Sequence, residues 1–106
     1  MNIGIILETK EPEKAWNAFR FANTSLKRQY SVKLFLMGEA VECEEIRDPR
    51  FNVHEEMMKF VQLDGVLYAC GTCLKSRNLE HETICPISTM NDCVDLVEWS
   101  DKVLTF

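Results

Sequence analysis

The chain has 106 residues, 46% hydrophobic and 27% charged, a length that fits one globular domain over residues 1–106 and leaves little room for two. Its net charge of −5 comes without a Lys/Arg cluster, which argues against direct nucleic-acid binding, since most of that affinity comes from basic residues meeting phosphates. No run of 18 apolar residues occurs, so no membrane span is expected, and "MNIGIILETKEPEK" lacks the basic region and long apolar segment of a signal peptide; a cytoplasmic protein is expected.

In chain order, "IGIILE" (3–8) is a short isoleucine-rich run typical of a strand buried on both faces. A helix follows over 12–28, with Pro12 in its first turn and an apolar face of Trp16, Phe19, Ala22 and Leu26, while Phe21 falls on the other side. "VKLFLMG" (32–38) is a second buried strand, 39–46 a short helical piece, and 47–51 a loop, because Pro49 restricts Asp48. Residues 52–65 read as a helix with Asn52 and Glu55 in capping-box spacing and Gly65 as the stop. Then come a third strand (66–70), a short helix (72–78), a short fourth strand (83–88), a helix over 89–100 with Thr89 and Asp92 in capping-box spacing, and a fifth strand (101–106). Strands alternating with helices imply parallel pairing through right-handed crossovers. The expected fold is α/β: an open, mostly parallel five-stranded sheet in a three-layer α/β/α arrangement of flavodoxin-like outline.

Five cysteines is an odd number, so a complete intrachain disulfide set is impossible. Cys70 and Cys73 form a Cys-x-x-Cys at the carboxyl end of the third strand, where open α/β sheets gather their chemistry, near the topological switch point. Three uses of the pair stay open: reactive thiols, metal ligands, or packing. For reactivity, the following helix N-terminus lowers a thiol pKa. Gly71 permits a sharp turn out of the strand, Lys75 and Arg77 supply cations, and Thr72 completes the supporting set. For zinc, Cys85, Cys93 or His81 would have to complete four ligands, yet no second Cys-x-x-Cys exists; no cofactor and no resident metal are expected. For packing, free cysteine is among the most buried residue types. Cys93 reads as helix core, Cys43 sits among glutamates that raise a thiol pKa, and Cys85 lies near the presumed site. His54 and His81 belong to no motif. Related architectures fail on particular residues: "ETKEP" (8–12) is no flavodoxin phosphate loop, Cys70 stands where a receiver domain needs aspartate, and a thioredoxin carries its Cys-x-x-Cys early in the chain. Phe21, Met57, Met58 and Trp99 exceed what one small core needs and hint at subunit contacts.

Three stretches, "LFLMGEAV" (34–41), "LYACGTCLKSR" (67–77) and "EWSDKVLTF" (98–106), resemble the DsrE/DsrF-like family, which contains the TusD sulfur-relay branch and, closer to this chain, the YchN-like branch. The resemblance implies a three-layer α/β fold assembling as trimers or hexamers, of one subunit type or with paralogous subunits. It also implies sulfur carried as a persulfide at the position of Cys70, sulfur donor and acceptor proteins as partners, and a second cysteine of unassigned role at Cys73. Sulfurtransferase-type sulfur relay is thus the expected function, with a redox-sensing or binding module as its rival.

Overall fold

The computed structural model describes residues 1–81 and 83–106. β1 (Asn2–Leu7), β2 (Ser31–Leu36), β3 (Val66–Cys70), β4 (Ile87–Ser88) and β5 (Lys102–Thr105) form one sheet in the order β4-β3-β2-β1-β5. Every pairing is parallel. β2 to β4 are added successively on one side of β1, so α1 (Pro12–Lys27) and α2 (Val53–Gln62) fall on one face under right-handed crossovers, and they pack on each other. α4 (Met90–Trp99) carries the chain back across to β5 and covers the opposite face at β1. Leu34 and Phe35 point to opposite faces of β2, and both are fully buried, which requires cover on both sides.

The helix faces differ from the expectation. α1 buries the small residues Ala15, Ala18 and Ala22 with Phe19, while Trp16 and Leu26 lie half-buried at the flanks. Small side chains let the helix axis approach the sheet, so the larger ones are pushed to the margin. Trp16 instead packs against Phe51, ring centroids 5.3 Å apart, with Arg20 over its other side. Gly4 has the same role on the opposite face, where a Cβ would collide with Leu96 of α4 and with Ser100, the residue that follows the helix.

Local boundaries have local causes. Glu11 caps α1 by accepting from the N–H groups of Glu13 and Lys14, and Thr89 and Asp92 close the expected capping box on α4. At α2 the Asn52 side chain accepts from the Glu55 N–H, but the return bond runs between side chains, so only half the box forms. The left-handed residue ending α2 is Asp64, not Gly65; Gly65 is required because a Cβ there would strike the Phe60 ring. The short piece after β2 is a 3-10 helix, Gly38–Glu45. Two expectations contract: the fourth strand to two residues, and the short helix after β3 to α3 (Gly71–Lys75), ended by Asn78 with φ 55°. Residues 83–85 cannot extend β4 because the Thr83 hydroxyl and the Ile84 N–H are both drawn to the Glu44 carboxylate.

The hint of subunit contacts also moves. Met57 is fully buried, Met58 and Trp99 are half-buried, and Lys33 lies over the Trp99 ring. Exposed apolar residues include Met90, Val94 and Val97 on one stripe of α4, Ile87 on β4 and Phe21 on α1.

Candidate functional site

Cys70 is the last residue of β3 and the cap position of α3, its backbone still extended (φ −60°, ψ 116°). The strand pairs Ala69 with Ile87 and Cys70 with Ser88, which brings the turn into α3 hard against β4. That contact explains Gly71. Its backbone is not in the left-handed region, but a Cβ there would sit 3.0 Å from the Ile87 side chain and 3.2 Å from the Ser88 carbonyl oxygen. The expectation of a conformationally demanding turn gives way to one of close approach.

Cys70 is 5% exposed and Cys73, three residues on, is half-buried. Burial pushes the Cys73 thiol above its ordinary 9.0, and the neighbouring Cys70 thiol raises it further. The Gly38 N–H, which donates to the Cys73 sulfur at 3.1 Å, and the Arg77 charge pull it partly back. The net direction for the Cys73 thiol is upward.

The supporting residues divide. Thr72 and Lys75 are exposed and, with Cys70, Gly71, Cys73, Glu80, Ser88, Thr89 and Met90, line a cavity of about 530 Å³. Arg77 turns away from it. Its Nε donates to Glu42 at 3.0 Å, and its Nη1 donates to the Cys73 carbonyl and the Ser76 hydroxyl. Glu42 also meets Lys10 at 3.4 Å. The guanidinium is thus largely neutralised and acts as a clamp between the 3-10 helix and α3, with only a weak field left on Cys73. The helix N-terminus contributes less than expected as well: α3 has five residues, and Cys70 makes no side-chain capping bond.

The other three thiols are buried. Cys43 is fully buried and pushed up to about 12, by burial first and then by Cys85 and the glutamates Glu39, Glu42 and Glu44. Cys85 is likewise at about 12, by burial, with the Thr83 hydroxyl opposing and the Glu44 carboxylate adding to it. Cys93 is raised by burial and then by Cys70, which places it near the pair as well as in the helix core. Among the described residues no three His, Cys, Asp or Glu side chains converge as a metal-binding group. His54 and His81 are exposed.

The carboxyl-edge expectation holds, but the switch point lies elsewhere. Strand order reverses between β1 and β5, two strands away from β3. Sequence reasoning also missed Gly38, which donates to the Cys73 sulfur, Glu80, which lines the cavity, and Glu42, which holds Arg77; none carries a motif.

A parallel α/β sheet with a paired-thiol cavity at its carboxyl edge defines a small thiol protein of open-sheet type. The chain belongs to the DsrE/DsrF-like family, whose model matches residues 1–106. It is 34% identical over 100 residues to the uncharacterized protein MJ0989 of Methanocaldococcus jannaschii, covering 89% of this chain and 88% of that one. It is 33% identical over 100 residues to MK0008 of Methanopyrus kandleri, covering 89% and 83%. In fold it is similar to the ychN protein from E. coli, with a TM-score of 0.85 and 22% identity over 100% of both chains. BT1422 from Bacteroides thetaiotaomicron has a TM-score of 0.81 and 16% identity over 99% of this chain and 94% of that one.

Proposed function

We propose that this protein is a cytoplasmic sulfur carrier of sulfurtransferase type, holding sulfane sulfur as a persulfide on Cys70 between a donor and an acceptor protein. The observation carrying this reading is the Cys70–Cys73 pair lining one cavity at the carboxyl end of β3. The Cys70 thiolate attacks the outer sulfur of a donor R–S–SH. The new bond joins the Cys70 sulfur to the sulfane sulfur, the donor S–S bond breaks, and R–S⁻ leaves with the electron pair while the proton stays on the outer sulfur. Cys73 then protonates the leaving thiolate. Incubation with a persulfide donor followed by intact-mass measurement tests the reading: one added sulfur on wild type and none on Cys70→Ser is expected. Equal addition to both proteins would sink it.

The Cys-x-x-Cys spacing, with both residues lining one cavity, also favours a second reading, a reversible Cys70–Cys73 disulfide in a redox-sensing module. Thiol trapping across a glutathione series separates the two, because only the second reading requires oxidation at a cytosolic poise. The apolar stripe of Met90, Val94 and Val97 supports assembly into a homo-oligomer, a trimer or hexamer.

A further inference from the structure

The thiol cavity contains one polar group without a described partner. Glu80 lines it, and its Oε2 is buried with no hydrogen bond to any described residue. That oxygen is out of reach of the cavity, and what Glu80 presents on the wall is the remainder of its carboxylate. The neighbouring hydroxyls are already engaged, since Ser88 donates to the Pro86 carbonyl and Thr89 caps α4. Lys75 stands exposed on the same cavity and makes no ion pair with a described residue. The cavity thus offers one carboxylate, one ammonium and a recessed sulfur, Cys70, only 5% exposed. A volume of about 530 Å³ is that of a small-molecule pocket, and a residue only 5% exposed is hard for a flat protein surface to reach.

We infer that this cavity takes a small zwitterionic persulfide, that of an α-amino-acid thiol, with Glu80 receiving its ammonium group and Lys75 its carboxylate. The inference rests on the persulfide reading and names its donor as a low-molecular-weight compound, where the family resemblance implied a protein. A cysteine persulfide carries its two charges on one carbon and its outer sulfur at the end of a short chain, the chemical complement of a carboxylate, an ammonium and a thiol lining one cavity. The Cys70 thiolate takes the outer sulfur by the same displacement, with cysteine thiolate leaving.

The test is the rate of sulfur addition to Cys70, by intact mass, from three donors at limiting concentration: cysteine persulfide, N-acetylcysteine persulfide and cysteamine persulfide. Each rate is divided by that donor's rate with free 2-mercaptoethanol, which removes intrinsic reactivity. Wild type should prefer cysteine persulfide by about tenfold over either donor lacking one charge, the usual worth of a charged hydrogen bond. Glu80→Gln should bring the preference over the N-acetyl donor close to one, and Lys75→Ala the preference over cysteamine persulfide. A merely structural role for either residue would lower all three rates together and leave the ratios alone, overturning the assignment. Equal wild-type rates from the three donors would overturn it too, as would loading confined to a protein persulfide; both leave the carrier function standing. No loading from any donor, inorganic polysulfide included, overturns the carrier function itself.

Discussion

Gly38 couples backbone conformation to thiol chemistry. Its φ of +58° lies in the left-handed region, and its N–H donates to the Cys73 sulfur. Gly38→Ala should cost about 1–2 kcal/mol in denaturant unfolding, the usual strain of a side chain there. A displaced N–H should also move the Cys73 labelling profile to higher pH, since the bond that pulls the thiol down is weakened. Unchanged labelling with lowered stability would show that the N–H does not tune the sulfur. At this scale the Cys-x-x-Cys was legible because it is contiguous. The expected activating cation was not: Arg77 is spent on Glu42, 35 positions away in the chain, a separation that no local pattern encodes.

Among the elements, α4 enters through Thr89, beside the cavity wall. Loss of the reciprocal Thr89–Asp92 box in Thr89→Ala should lower stability by about 1 kcal/mol, read as a shifted denaturation midpoint with unchanged slope. At the other end of α4, Gly4→Ala should cost about 1–3 kcal/mol by overpacking against Leu96 and Ser100; no loss would mean that α4 slides freely on β1. Strand and helix order was readable because buried parallel strands and amphipathic helices have different periods. β4 was overextended because its apolar residues fit a strand, whereas Glu44, from a distant segment, claims the backbone at Ile84. The small-residue face of α1 was misassigned because periodicity weighs Trp above Ala, and packing distance weighs them the other way.

Whole-molecule behaviour follows from buried thiols and exposed apolar surface. Cys43 and Cys85 keep their protons to about pH 12 in the folded state, against an ordinary 9.0. Above pH 9 the unfolded chain binds fewer protons than the folded one, so stability is full below 9 and falls as pH rises toward 12. The slope per thiol is at most about 1.4 kcal/mol per pH unit. Replacing both cysteines by alanine should flatten this limb relative to wild type; an unaltered limb would assign it to other groups. In sedimentation, wild type is expected as an oligomer at micromolar concentration, and Val94→Glu, which puts a charge on the exposed stripe of α4, as a smaller species. A wild-type monomer would remove the assembly from the proposal.

The pairing of β5 with β1 has a kinetic meaning. Asn2 donates to Asp101 across 99 positions of chain, and β1 already has β2 on its other side. Closing so long a loop is entropically the most demanding contact in the sheet. β5 should therefore dock after the rate-limiting step, as the last strand to join. Leu104→Ala would then accelerate unfolding and leave the folding rate nearly unchanged, a φ-value near zero. The carboxyl-terminal strand would act as a latch whose strength sets how long the folded state survives, with little influence on how quickly it forms.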